Sequence, residues 1–376
     1  MLIFAAVIAL FVYGMTGSML GTILPELSKR FELTPRQNGT IALAQALGLM
    51  LASLGVGPLL DNLGVKPGLI LGLAMTAAAL FGLPRVHGFR GIVFLLFLLG
   101  SGGGVVTTGG NALVSVVSVA HRSAVLNLVN IAFGVGALAT PFLAANLLKR
   151  NWVRLCYFIL GLTTAALVVQ VATRMPAATG TGRFVADAGP ALASPLLWLL
   201  GLFMFLYIGC EVGVWNWLVR HLIAQGVPEK WALNILSLGF ALGLLSGRLG
   251  VVPVLAHSAA ARVTLGAAAC MAMTTFLMLR ARRKWAAAGL VFAAGLSMAP
   301  VFPTTLAIVG GTFPQITGTV MGIVITFGWA GLAVSSRVIG SIAGGDPTRL
   351  RKALLVIPAS AVLMVALNLA VLGVMK

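Results

Sequence analysis

Long apolar runs, separated by short charged or Pro- and Gly-containing breaks, fill the chain from one end to the other. A membrane-spanning helix needs about 20 predominantly apolar residues, and the runs have about that length. The pattern therefore predicts an all-α integral membrane protein with twelve transmembrane helices. The predicted spans are 2–25, 39–60, 67–84, 91–113, 123–147, 153–173, 193–219, 231–252, 254–279, 286–308, 316–343 and 351–375.

One connection has the composition of a loop, and it lies at the middle of the chain. It contains Met-Pro-Ala-Ala-Thr-Gly-Thr-Gly-Arg, starting at Met175, and ends with Ala-Ser-Pro at Pro195. We expect an N-terminal six-helix bundle over 1–173, a linker over 174–192 and a C-terminal six-helix bundle over 193–376. Two equal halves are typical of parallel-repeat transporters, whose substrate site lies between the halves near the bilayer midplane.

Composition excludes a soluble domain. Of the 376 residues, 60% are hydrophobic and 9% charged, with a mean hydropathy of +1.07, whereas soluble domains carry about 25% charged residues. The net charge of +18 comes from bases lying mostly in loops, so membrane topology explains it without nucleic acid. The four histidines sit near span ends and form no metal-ligand or Ser/His/Asp pattern, so we expect no enzyme, metal or cofactor.

Glu211 is the only acid placed deep within a predicted span. Insertion of such a carboxylate costs at least about 2.5 kcal/mol, and intramembrane acids usually face a cavity, a partner or a transported ion. Tyr207, Glu211 and Trp215 are four residues apart and share one helix face, which favours a sugar-binding surface. The alternative is a structural pairing of Glu211 with Arg248 or Arg337.

Amide side chains form a second candidate site. Asn127 and Asn130 are three residues apart in the fifth span, and Asn111 ends the fourth. Asparagine offers the donors and acceptors that a sugar hydroxyl needs. The alternative is interhelical hydrogen bonding, worth about 0.6 kcal/mol in membranes. Weaker substrate-binding candidates are Gln45, Thr326 and Trp329.

Glycines are concentrated in the fourth span, at Gly100-Ser-Gly-Gly-Gly104 and Gly109-Gly110. A phosphate-binding loop would require a preceding strand and a Lys-Ser/Thr ending. Inside an apolar run, small residues instead allow helices to approach closely, and we expect close packing here.

The connection Gly57-Pro-Leu-Leu-Asp61-Asn-Leu-Gly64-Val-Lys66 resembles the loop motif of the major facilitator superfamily, with Asn62 in place of the usual arginine. The resemblance implies that Asp61, Gly57 and Gly64 lock helices together in one transport state. Further stretches resemble the fucose and glucose symporter branch. They are Gly209-Cys-Glu211-Val-Gly213, Ser246-Gly-Arg248-Leu-Gly250, Arg122 to Asn130, Ala299-Pro-Val-Phe302-Pro303-Thr304 and Gly318-Thr-Val-Met-Gly322.

The resemblance implies alternating-access transport of a small polar solute, with a monosaccharide such as a hexose favoured. Rocking of the two bundles would expose a site lined by spans 1, 4, 5, 7, 8, 10 and 11, and Arg248 is assigned to the gate. The buried acids of fucose-type symporters correspond here to Gly21 and Thr107. Glu211 is therefore the candidate for coupling to a proton or sodium ion, with a uniporter as the alternative.

Three other functions stay open. The chain could export drugs or amphiphiles, carry organic anions on Arg248, or act as a non-transporting membrane sensor. The expected partners are the substrate, a proton or sodium ion and the lipid bilayer, with a monomer in a bacterial inner membrane.

The loop bases are unevenly distributed between the two ends of the spans. Odd-numbered connections hold Lys29, Arg30, Arg36, Arg85, Arg90, Lys149, Arg150, Arg154, Arg220, Lys230, Arg280, Arg282, Arg283, Lys284, Arg349, Arg351 and Lys352. Even-numbered connections hold Lys66, Arg122, Arg174, Arg183, Arg248 and Arg262. The positive-inside rule places the odd connections in the cytoplasm, whereas the family resemblance places the even connections and the termini there.

Overall fold

The computed structural model describes residues 1–148, 151–176, 178, 184–281, 283–344 and 347–375. Twelve helical segments in this part are long and apolar enough to cross a membrane, as the sequence pattern predicted, and the described residues form no strand. The segments are α1 (Leu2–Arg30), α2 (Pro35–Leu63), α3 (Val65–Arg85), α4 (Phe89–Val117), α5 (Arg122–Asn146), α6 (Trp152–Ala172), α7 (Pro195–Ala224), α8 (Glu229–His257), α9 (Ala260–Met278), α10 (Lys284–Thr312), α11 (Pro314–Ala343) and α12 (Arg349–Val374).

The segments α8 and α10 are irregular within the span. In α8 a π-helix covers Ile235–Phe240 between α-helical stretches. In α10 the helix Lys284–Met298 stops before Pro300 and resumes as Val301–Thr312. Proline removes a backbone donor and clashes with the preceding turn, so the sequence locates this interruption.

A helix also forms in the predicted linker, over Phe184–Ala193. The loop-like composition of residues 174–192 did not predict it. Its sequence Phe-Val-Ala-Asp-Ala-Gly-Pro-Ala-Leu-Ala is rich in alanine, the best helix former. The boundaries of the two six-helix bundles, at 1–173 and 193–376, stay a prediction.

Residue contacts divide the chain into two compact units. Unit 1 contains Met1–Ala120, Val129–Ala191 and Gly310–Thr326. Within it, α2 packs closely along α4. A Cβ atom at Gly100 would overlap the Gln45 carbonyl oxygen. The glycine run of the fourth span therefore serves close helix packing, as expected.

Unit 2 contains His121–Leu128, Leu192–Val309 and Phe327–Lys376. Here α7 and α9 pack on α12, and α8 and α9 pack on α10. Gly295 on α10 lies against the Phe240 carbonyl oxygen, at the end of the π-helix. This crossing positions the irregular part of α8 beside α10 and next to the polar cluster described below.

Candidate functional site

The Asp61 side chain, at the end of α2, binds the first α-helical turn of α11 within unit 1; this turn starts at Thr317, after a 3-10 turn over Pro314–Ile316. Its carboxylate accepts hydrogen bonds from the Gly318 N–H at 2.7 Å, the Thr319 N–H at 2.8 Å and the Thr319 hydroxyl at 2.6 Å. Asp61 is 4% exposed. The first N–H groups of a helix lack intrahelical partners and carry the positive end of the helix dipole, so a buried carboxylate is stabilised at this position.

Glycines allow this close approach. A Cβ atom at Gly57 would lie 2.5 Å from the Thr319 Cα atom, closer than real Cβ contacts. Gly64, which separates α2 from α3, has a φ of 87°, a conformation that glycine adopts without a steric penalty. The three predicted gate residues of this loop thus surround one contact, between the end of α2 and the start of α11.

The predicted amide pair Asn111 and Asn130 is brought together within unit 1. The Asn130 side-chain amide donates to the Asn111 carbonyl oxygen over 2.8 Å, and the Asn111 amide donates to the Thr107 backbone carbonyl over 2.8 Å. Both side chains are buried. The pair links α4 to α5 and holds amide groups in a fixed orientation.

Two weaker candidates also lie in unit 1 but make different contacts. Gln45 is buried on α2. Thr326 donates to the Gly322 carbonyl over 2.7 Å, a bond within its own helix, with the Met50 carbonyl 3.3 Å away.

A second polar cluster lies in unit 2 and contains Tyr207, Glu211 and Arg248. Tyr207 is fully buried on α7, Arg248 is 5% exposed on α8, and Glu211 is half-buried one turn after Tyr207. The Tyr207 hydroxyl interacts electrostatically with the Glu211 carboxylate and the Arg248 guanidinium. It makes no hydrogen bond of regular geometry to the residues that the structure describes.

Aromatic rings lie beside this cluster. Trp215 follows Glu211 by one turn on α7 and contacts Phe240 edge to face, with ring centroids 5.3 Å apart. The partner ring belongs to the π-helix of α8. Trp329, on α11, has a buried indole N–H without a hydrogen-bond partner among the described residues.

Asn127 was predicted to act with Asn130, but contacts place it in unit 2. Its amide donates to the Ser123 carbonyl over 2.8 Å and to the Thr304 hydroxyl over 3.0 Å. Both Asn127 and Thr304 are fully buried, and the Asn127 carbonyl oxygen has no partner in the described part of the chain. Sequence reasoning missed Thr304 as a site residue, although it follows directly after Pro303.

The two clusters offer different chemistry. Unit 1 presents neutral amides, whereas unit 2 combines a carboxylate, a guanidinium, a phenol and an indole. Buried polar atoms without partners are rare because each costs about 1–3 kcal/mol, so the Tyr207 hydroxyl and the Asn127 carbonyl oxygen are candidates for ligand contact. No group of three or more His, Cys, Asp or Glu residues suited to a metal occurs among the described residues.

Comparison with known families gives one match over most of the chain. A family model described as Major Facilitator Superfamily matches residues 6–336. Among curated proteins, the yeast (Saccharomyces cerevisiae) protein "Bypass of stop codon protein 6" is 23% identical over 276 residues, 66% of this chain. The match spans 55% of the length of that yeast protein.

Solved structures share the fold over almost the full chain. The Escherichia coli fucose:proton symporter FucP has a TM-score of 0.82 at 18% identity, covering 98% of each chain. The proton:xylose symporter XylE has a TM-score of 0.79 at 12% identity, covering 97% of this chain and 94% of that one. The human organic anion transporter MFSD10 has a TM-score of 0.75 at 17% identity, covering 98% of each chain.

Proposed function

The chain belongs to the major facilitator superfamily, and we propose that it transports a monosaccharide across its membrane by alternating access. It is an integral membrane transporter by family and fold. The choice of a sugar, the coupling ion and the residues that bind the substrate are the proposal.

The observation that carries the proposal is the Tyr207, Glu211 and Arg248 cluster in unit 2. A buried phenol hydroxyl that makes no hydrogen bond of regular geometry to the described residues, next to a carboxylate, matches a ligand that both donates and accepts hydrogen bonds. A sugar hydroxyl has this property. In the proposal, the Glu211 carboxylate accepts a hydrogen bond from a sugar hydroxyl. The Tyr207 hydroxyl forms a second hydrogen bond with the sugar.

Trp215 adds the apolar part of the proposed recognition. Sugar rings present C–H groups that pack on an aromatic face, while the hydroxyls remain hydrogen-bonded. The edge-to-face contact with Phe240 fixes the orientation of the indole. The half-buried Trp215 is therefore the proposed platform for the sugar ring.

In unit 1, the proposed substrate contacts are Asn111 and Asn130. Their mutual hydrogen bond places two buried amides side by side, and amide groups can both donate to and accept from a sugar hydroxyl. Gln45, Thr326 and Trp329 stay proposed as secondary contacts.

Coupling is assigned to Glu211. A carboxylate within a span that gains and loses a proton, or binds sodium, changes the charge of the cluster that also contains the buried Arg248, and thereby the affinity of the site. The buried acids of fucose-type symporters correspond, by the resemblance, to Gly21 and Thr107 in this chain. Neither residue carries a carboxylate that could bind the coupling ion. Binding of the coupling ion, a proton or sodium, by Glu211 is the proposed step that links ion and sugar movement.

The experiment for the sugar assignment is counterflow in proteoliposomes preloaded with one unlabelled hexose or pentose at a time. We expect the vesicles to accumulate labelled sugar transiently for at least one sugar. We also expect an excess of the same sugar, unlabelled and added outside, to inhibit this uptake in a saturable manner. A membrane sensor would bind the sugar without counterflow. Absence of counterflow with every sugar tested, in a preparation that is folded, would refute the sugar assignment.

A second candidate, organic-anion transport, is favoured by one observation. Arg248 is buried at 5% exposure in unit 2, and a guanidinium binds carboxylates bidentately. The same proteoliposomes distinguish the two candidates. In an anion carrier, unlabelled organic anions would compete with a labelled organic anion for transport. In a sugar carrier, organic anions would leave the counterflow of labelled sugar unchanged. Export of amphiphiles would instead give competition by hydrophobic cations.

A further inference from the structure

Tryptophan and lysine side chains form an exposed cluster at one end of unit 2. Lys284, at the start of α10, holds its ammonium group 5.2 Å from the ring centroid of Trp231 and 5.6 Å from that of Trp285. The two indoles meet edge to face with centroids 5.6 Å apart. We call these residues, together with the exposed Arg280 four positions before Lys284 in the chain, the Trp-Lys patch.

The patch is open to its surroundings. Trp231 is 40% exposed and Trp285 is 68% exposed. Arg280 lies at the end of α9 with its guanidinium 4.2 Å from the Phe276 ring centroid. Neither Lys284 nor Arg280 forms an ion pair with a carboxylate within the described part of the chain, and Glu229 is the acid closest to Trp231 in sequence.

Large apolar side chains are exposed on the helices that carry the patch. On α8, Leu233 and Leu238 are 49% and 60% exposed, and on α9, Met273 is 59% exposed. Acyl chains are the natural covering of such a surface in a membrane. The patch therefore lies where the apolar wall ends and the charged connections begin, the depth at which indole rings and lipid headgroups are found.

We propose that the Trp-Lys patch is a binding site for the phosphate headgroup of an anionic phospholipid. The cation–π contacts hold the Lys284 ammonium in place, while its three N–H donors remain available for phosphate oxygens. Arg280, four residues before Lys284 in the chain, supplies a second base in the proposal. The exposed side chains of α8 and α9 take the acyl chains of the same lipid.

Charge and shape both favour a lipid over a free anion. Each base near an anionic membrane surface strengthens binding about fivefold, and a free phosphate would leave the exposed indoles and leucines uncovered. Cation–π pairs recur in unit 1, where Arg85 lies 3.7 Å from the Phe81 centroid and 5.6 Å from that of Tyr157. Arg85 and Lys284 both belong to odd-numbered connections, which carry most of the loop bases.

The test measures retention of phosphatidylglycerol against phosphatidylcholine by native mass spectrometry of the purified full-length protein in an equimolar mixture. The variant is Lys284→Gln with Arg280→Gln. The matched control is Arg262→Gln, because Arg262 is an exposed base at the opposite end of α9. The changed side chains are exposed, so all proteins are expected to fold, which thermal unfolding verifies.

We expect the wild-type protein and Arg262→Gln to retain phosphatidylglycerol preferentially, and the double variant to lose this preference by roughly 25-fold. Quenching of Trp285 fluorescence by brominated phosphatidylglycerol, measured against Trp285→Phe, is expected to follow the same order. Equal retention of the two lipids by the wild type, or an equal loss in Arg262→Gln, would overturn the proposal. Displacement of the lipid by millimolar inorganic phosphate would also overturn it in favour of a simple anion site.

Discussion

The Asp61 carboxylate binds the Thr319 backbone N–H and hydroxyl at 2.8 Å and 2.6 Å, although the two residues are 258 positions apart in the chain. Adding the Gly318 N–H, one buried side chain satisfies three donors at a helix start. Hydrogen bonds to an ionised group are about twice as strong as neutral ones. This contact defines which atoms form the proposed gate, and therefore which substitutions test it.

Replacing Asp61 by Asn should weaken the gate contact. The amide keeps one acceptor oxygen but directs an NH₂ group toward a donor of Thr319, so we expect a loss of about 2 kcal/mol in the contact. Thr319→Val removes only the hydroxyl bond and should have a smaller effect. Counterflow Vmax, normalised to folded protein, is expected to fall in the order wild type, Thr319→Val, Asp61→Asn. Equal rates in all three would contradict a gating role.

Gly57→Ala should impair transport through a steric effect. A Cβ atom there would lie 2.5 Å from the Thr319 Cα atom, whereas one at Gly55, two residues earlier on α2, has nothing within 4 Å. Overpacking of this kind costs about 1–3 kcal/mol. We expect a lower transport rate and a shifted unfolding midpoint for Gly57→Ala, with Gly55→Ala close to wild type. Similar behaviour of the two variants would show that the close approach does not matter.

The fold followed from the sequence because apolar runs of bilayer length are a strong signal. The twelve spans, the break in α10 before Pro300 and the close packing at Gly100 were all readable from local composition. The helix over Phe184–Ala193 was missed because glycine and proline nearby obscured its alanine-rich core. The π-helix over Ile235–Phe240 packs against α10, and its sequence Ile-Leu-Ser-Leu-Gly-Phe does not distinguish it from an α-helix.

The candidate site was predictable only residue by residue. Helical spacing correctly put Tyr207, Glu211 and Trp215 on consecutive turns of one helix, because spacing is a local property. It did not separate Asn127 from Asn130, which are neighbours on α5 but contact different partners, Thr304 and Asn111. Partners such as Thr304 lie on other helices, and a single sequence carries no information on such pairings.

Substitution of Asn130 should weaken sugar binding. Asn130→Ala removes the donor to Asn111, leaving a buried carbonyl oxygen unpaired, and we expect KM for the transported sugar to rise about 10-fold. Asn146→Ala is the control, because Asn146 is an exposed residue on the same helix that bonds only to the Phe142 carbonyl among the described residues. An unchanged KM in Asn130→Ala would assign the amide pair to helix packing alone.

Thr304→Val should disturb the Asn127 side chain. The substitution removes the hydroxyl that accepts from Asn127 over 3.0 Å at nearly constant volume. The neighbouring Thr305→Val serves as the control, because the Thr305 hydroxyl donates to the Val301 carbonyl of its own helix. We expect about 1 kcal/mol lower stability and a several-fold higher KM for Thr304→Val relative to Thr305→Val. The reverse order would show that the interhelical bond is dispensable.

The most direct test of the central claim compares wild type with Glu211→Gln in proteoliposomes, using a labelled sugar and imposed proton or sodium gradients. Glutamine preserves the shape of the side chain and an acceptor oxygen while removing its charge and titration. The proposal predicts gradient-driven accumulation in the wild type, its loss in Glu211→Gln, and counterflow that survives in the variant. Gradient-driven accumulation that persists in Glu211→Gln would contradict the assignment of coupling to this carboxylate.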